Sequence, residues 1–195
     1  NLHHLMQKSV QARKNRIIST MNGQFLSGLP IFLNVRIKNM VAFLDKFKRK
    51  IPPMIQVYYN HDFGFLIVPD AVEKNMGCHI SIEPTERVMP DCSSNELGNA
   101  VIRAIKIATK APKVEQEKAL STYWKQTKYK GFTAFSKHFQ SIHIRVVGNE
   151  FNIKRWVAGN KGYVPASDEE VQIVSAKITD CELGLFIKRM FNIEN

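Results

Sequence analysis

The sequence predicts an α+β fold: pseudo-duplicated antiparallel β-sheet units, each closed by a helix, in a single compact domain with a basic N-terminal extension. Three observations carry this expectation. The order of elements occurs twice, over about 54–110 and again over about 140–195. Each time a short apolar strand, a polar turn and a second strand are followed by a glycine, a third strand and an apolar helix. A repeated unit fixes architecture before any residue is given a role, and two copies are too few for a solenoid. Each closing helix also opens with an Asp-Cys pair and a Glu-Leu-Gly run, within 91–98 and 180–184. Finally, 195 residues are enough to bury one sizeable core.

Residues 1–53 stand outside the repeat. There Asn22-Gly23 marks a tight turn between 17–20 and 24–26, predicting a hairpin. Ile37, Met40, Val41, Leu44 and Phe47 recur at helical spacing. Lys46, Lys48, Arg49 and Lys50 load the last turn of that helix, where cations suit the dipole, and Pro52-Pro53 ends it. The domain proper, 54–195, begins with a strand at 55–59, the turn Asn60-His61-Asp62 and a strand at 63–68. Its second copy runs through 142–147, the turn Gly148-Asn149 and 150–156. Gly77 and Gly162 occupy matching places, as do Val88 and Ile173. Between the copies, Leu97, Val101, Ile105 and Ala108 predict a helix to about Thr109, capped within 91–95. Beyond Ala111-Pro112 a second helix is expected over 114–128, and a short third through Phe132, Phe135 and Phe139. Leu183, Ile187, Met190 and Phe191 form the face of the last.

The formal net charge of +11 is unevenly spread. Residues 1–60 carry +9, 61–102 carry −5, 103–161 carry +10 and 162–195 carry −3. A basic tail, a basic middle and two acidic patches make a poor continuous phosphate-binding surface. The longest apolar runs fall far short of a membrane span, and no secretory leader pattern is visible. Cys78, Cys92 and Cys181 lack metal-type spacing and suit a reduced, cytoplasmic setting.

The search for chemistry is mostly negative. No phosphate-cradling glycine loop, dinucleotide fingerprint, zinc spacing or hydrolase elbow occurs. The sequence therefore predicts no catalytic constellation, no cofactor and no metal. His61, His138 and His143 are the acid–base candidates for a small nuclease, set against ordinary surface or partly buried histidines. Cys92 and Cys181 read either as thiols activated at a helix start or as small buried residues at equivalent repeat positions.

Several runs carry a resemblance. Tyr58-Tyr59-Asn60, 65–69, Glu83-Pro84, Asp91-Cys92-Ser93 and Glu96-Leu97-Gly98 are similar to the immunity proteins of bacterial contact-dependent growth inhibition systems. Tyr123-Trp124-Lys125, 129–132, 162–165 and Glu182-Leu183-Gly184 resemble the middle and end of the same family. The similarity covers about 54–195, with Met190-Phe191 departing from its usual smaller or leucine residues. It implies a cytoplasmic antidote, not an enzyme, that binds the toxic C-terminal domain of a cognate toxin, often an RNase or tRNase, and blocks its active site.

Basic substrate clefts call for complementary acids. The candidates are Glu83, Glu86 and Asp91 in the first copy and Asp168, Glu169 and Glu170 in the second. If the toxin surface is acidic instead, Lys154, Arg155, Trp156 and Lys161 are the anchors, Arg and Trp being the types that most often dominate interfaces. The alternative from another class is a basic RNA- or DNA-binding module, using Lys125, Lys128, Lys130 and Lys137 interleaved with Tyr123, Trp124, Tyr129 and Phe132.

Overall fold

A computed structural model describes residues 51–119, 123–160, 162–167 and 170–193. The hairpin and helix expected in the N-terminal extension lie outside the described residues. Met54–Asn60 (β1) and Gly64–Val72 (β2) form a hairpin, in which Asn60 Oδ1 accepts from the Asp62 and Phe63 N–H groups at 3.1 Å. His79–Ser81 (β3) and Glu86–Val88 (β4) pair with opposite ends of β2, and Ser94–Lys110 (α1) follows. After a linker holding Phe132–His138 (α2), the second copy repeats each step. Gln140–Val147 (β5) and Glu150–Gly159 (β6) form the hairpin. Gly162–Pro165 (β7) and Gln172–Ser175 (β8) take the two ends of β6, and Asp180–Met190 (α3) closes the unit.

The two hairpins join through β1 and β5, giving a curled antiparallel sheet of eight strands ordered β3-β2-β1-β5-β6-β7, with β4 beside β2 and β8 beside β6. Ile55 lies opposite Ile144 and Val57 opposite Ile142. Exchanging the copies maps this register onto itself, so an approximate twofold passes between Gln56 and His143. Strand side chains alternate between faces. Ile55, Val57, Phe65 and Ile67 therefore share one face with Ile142, Ile144, Phe151 and Ile153, and all are buried. Leu97, Val101 and Ala104 of α1 and Leu183 and Ile187 of α3 cover them.

The helix starts are built alike. Ser93 and Thr179 are the N-caps, each accepting from the N–H of the glutamate three residues on at 3.2 Å. In return the carboxylates of Glu96 and Glu182 accept from the cap N–H groups at 2.8 and 3.0 Å. These reciprocal bonds satisfy donors that a helix start leaves free. The caps also correct the expected repeat register. Glu96-Leu97-Gly98 coincides with Glu182-Leu183-Gly184, but Asp91-Cys92 precedes its cap whereas Asp180-Cys181 follows its own. Cys92 is accordingly buried and Cys181 exposed. The partner of Val88 is Val174, packed on the core, while Ile173 faces the other way and is 62 % exposed.

The expected helix over 114–128 is replaced among the described residues by single turns at Gln116–Lys118 and Tyr123–Gln126. Val114 is held extended instead: its N–H donates to the Val72 carbonyl at 3.0 Å and its carbonyl accepts from Lys74 N–H at 2.9 Å. Tyr123 is drawn against Tyr58, their rings stacked at 5.4 Å. Tertiary partners here override helical propensity.

α1 and α3 cross at their first turns, through Gly98 and Gly184. A Cβ on Gly98 would overlap the Asp180 carbonyl oxygen, and one on Gly184 the Ser94 carbonyl oxygen. Both obstacles are backbone and cannot swing aside. Gly98→Ala and Gly184→Ala should each cost about 3 kcal/mol or more. Thermal unfolding should register this as a fall in Tm of roughly 10 °C.

Candidate functional site

Of the acidic candidates of the first copy, Glu86 and Asp91 line a groove of about 620 Å³ between β4 and the start of α1, and Glu83 does not. Glu86, Asp91 and Glu96 line it together with Arg87 and Arg103. Glu86 is bonded to the Arg103 guanidinium, with one contact at 3.2 Å, so much of its charge is answered within the chain. Glu96 is engaged by its cap: the Ser93 N–H and then its hydroxyl hold that carboxyl below the usual range. Asp91 is exposed at the groove, and Glu83, also exposed, accepts from Thr85 N–H at 3.1 Å. The twofold-related groove, about 510 Å³ between β8 and α3, has Lys177, Glu182 and Arg189 in its wall. Its polar character differs, since Lys177 and Ile178 stand where Asp91 and Cys92 stand in the first copy. Asp168, Glu169 and Lys161 lie outside the described residues, while Glu170 is exposed ahead of β8.

The basic anchors are divided by strand alternation. Lys154 and Trp156 project from the sheet face opposite α1 and α3, and Arg155 from the helix face, where it donates to the Met190 carbonyl. They do not form one cluster. On the opposite face Trp156 stacks on His143, with ring centres 4.1 Å apart and planes at 16°. A cavity of about 200 Å³ opens there between His143, Arg145, Asn152, Lys154 and Trp156. Sequence reasoning named Lys154 and Trp156 but missed His143, Arg145 and Asn152 as their neighbours. Period-two alternation along 142–147 and 150–156 was the signal that groups them.

The other end of this face is closed by aromatic packing. Tyr58, Leu66 and Val68 are buried under Tyr123, Phe135 and Phe139. Tyr123, one base-stacking candidate of the nucleic-acid alternative, is thus committed to the core, and Phe132 packs at its margin. Lys125 lies 6.0 Å from the Trp124 ring, and Lys128 lies 3.4 Å from Asp62. The candidate histidines are distributed: His61 is in the exposed β1–β2 turn, His138 stacks on Tyr129, and His143 sits mid-strand opposite Gln56. Among the described residues no group of three or more His, Cys, Asp or Glu could hold a metal ion. No helix among them is long and apolar enough to cross a membrane.

A buried carboxyl heads a hydrogen-bond chain that runs on this face to Tyr123. Asp70 is 1 % exposed; Gln56 Nε2 donates to both its oxygens at 2.9 Å and Ser81 Oγ donates at 3.0 Å. The Tyr58 hydroxyl donates to Gln56 Oε1 and meets that of Tyr123 at 2.7 Å. Burial pushes Asp70 up to about 7, against the hydrogen bonds from Gln56 and Ser81. Above that pH the folded chain carries a buried charge. Below it the folded state takes up a proton that the unfolded carboxyl does not bind until about pH 4, so acidification stabilises through this group. His143 acts in the opposite sense, because burial, and next Arg145, lower it to about 3. Substitution separates the two. The stability of Asp70→Asn relative to the unsubstituted chain should fall by roughly 3 kcal/mol between pH 8 and pH 5, as urea unfolding at each pH would measure.

No protein-family model and no curated protein sequence matches the chain. Its fold does have counterparts. It is similar to a protein of unknown function from Neisseria meningitidis, with TM-score 0.55 and 15% identity, over 73% of this chain and 94% of that one. It is also similar to a chain of the CdiA-CT/CdiI toxin and immunity complex from Yersinia pseudotuberculosis, with TM-score 0.53 and 16% identity, over 74% of this chain and 98% of that one.

Proposed function

We propose that the chain is an immunity protein, which binds the C-terminal toxin domain of a cognate contact-dependent growth inhibition toxin and blocks its active site. The observation that carries this reading is the shared fold with a chain of a CdiA-CT/CdiI toxin and immunity complex, spanning nearly all of that chain. The motif resemblance over 54–195 points the same way. In this reading the chain is not an enzyme, needs no cofactor and acts in the cytoplasm. The toxin is an RNase, and its basic cleft is met by the groove beside α1.

The acids in and near that groove differ in what they can give. Glu86 already answers Arg103, whereas Asp91 and Glu83 stand exposed. Exposed charges at an interface act mainly on encounter, speeding association and rejecting wrong partners. The commitment of Tyr123 to the core speaks against the nucleic-acid module, because a ring buried in packing cannot stack a base.

The deciding experiment combines the full chain with the toxin domain encoded beside its gene. Equimolar chain should abolish RNA cleavage in vitro, and co-expression should restore growth. Undiminished cleavage in the presence of saturating chain would sink the reading. The combined change Glu83→Lys and Asp91→Lys should slow association by about tenfold and leave folding intact. An unchanged association rate in stopped-flow mixing would remove this groove from the interface.

A further inference from the structure

The cavity at the end of the sheet away from the aromatic cover stands apart from the acidic groove, and its place follows from the twofold. Exchanging the copies superposes Tyr58 on Arg145, Leu66 on Asn152 and Val68 on Lys154. In the first copy these positions are aromatic or aliphatic and seat the cover formed within 123–139. The linker occurs once, so only one end of the face receives that cover. At the other end the same three positions carry a cation, an amide and a second cation.

Their surroundings are polar and unanswered. His143 is 8 % exposed, yet neither Nδ1 nor Nε2 has a hydrogen-bond partner, and Asn152 Oδ1 is also buried without one. Native proteins rarely leave such atoms unpaired. Among the described residues Arg145 and Lys154 have no ion-pair partner, and none of those lining the cavity is acidic. Asp70, the buried carboxyl of this face, is committed to Gln56 and Ser81. Trp156 stacks on His143 and so bounds the space on one side. At about 200 Å³ the space is smaller than an ordinary small-molecule site, which runs from roughly 300 Å³ upward, and it suits a single functional group.

We propose that this cavity is an oxyanion site, taking one carboxylate or phosphate group between Arg145 and Lys154, with His143 and Asn152 as its polar floor and Trp156 as its wall. The guanidinium offers a planar pair of donors and the ammonium a point charge, a combination suited to an oxygen-rich anion. Asn152 Oδ1 and one imidazole nitrogen remain as acceptors, so a group flanked by N–H or O–H donors fits better than a bare ion.

The test uses the full chain without any toxin, so its outcome is independent of the immunity reading. The ¹⁵N–¹H signal of the Trp156 indole, assigned by its loss in Trp156→Phe, is followed during titration. The probes are inorganic phosphate, N-acetyl-aspartate amide and, as a neutral control, N-acetyl-asparagine amide. A saturable shift is expected with at least one anion in the millimolar range, and none with the neutral amide. Arg145→Gln and Lys154→Gln should each weaken that binding at least tenfold with an unchanged circular dichroism spectrum. Preference for the aspartyl probe assigns the site to an acidic side chain; preference for phosphate assigns it to a phosphate-bearing ligand. A response that does not saturate, that the neutral amide reproduces, or that survives both Gln substitutions would overturn the proposal.

Discussion

The close passage of α1 over α3 at Gly98 and Gly184 is the constraint from which the rest of the domain follows. Each helix places a glycine where the other presents backbone: α3 offers the Asp180 carbonyl and α1 the Ser94 carbonyl. This proximity lets Leu97 and Leu183 reach the same strands and complete one continuous core. It also explains why both helices are capped from within. Their first turns are pressed together, and the glutamates of the two capping boxes satisfy donors at the turn itself. Lys188 strengthens the same junction, its buried ammonium donating to the Cys92 carbonyl at 2.7 Å.

On the helix face the two copies are treated equally; on the other face they are not. A twofold sheet joined by one linker has two equivalent ends, and the linker covers one of them. The covered end became aromatic, with Phe135 stacked on Phe139 at 4.3 Å and meeting Tyr58 edge-on. The other end became cationic. The acidic residues sort differently, gathering along β4 and the start of α1, so a chain of net charge +11 displays separate surfaces of opposite sign. Such separation suits recognition of particular partners more than general adhesion to polyanions.

Much of the architecture was legible in the sequence because apolar strands, turn residues and the Glu-Leu-Gly runs recur in the same order. The finer register was not. Asp-Cys occurs near both helices, but a dipeptide has no fixed place relative to a cap, whereas Ser93 and Thr179 do. The region 114–128 carries helical spacing, yet the bridge between Glu73 and Val114 and the pull of Tyr58 on Tyr123 are distant partners that no local window contains. For the candidate surfaces, Glu86 and Asp91 do line one groove, but the bond between Glu86 and Arg103 joins residues from different elements that a local window does not contain. Reading Lys154, Arg155 and Trp156 as a unit overlooked the strand's alternation, which sends Arg155 to α3.

The central pairing of β1 with β5 also sets an order of events in synthesis. Each hairpin is local and can close soon after its turn is made, but Ile55 meets Ile144, and α1 meets α3, across most of the domain. Contacts so remote form late, since the intervening chain must be closed as a loop before they are rewarded. During translation the first copy therefore emerges with Ile55, Val57, Phe65 and Ile67 under one helix instead of two. Its apolar face stays incompletely shielded until the last helix clears the ribosome, an interval of several seconds at ordinary elongation rates. An architecture symmetric in space is thus asymmetric in time, and the older half depends on the younger to finish it.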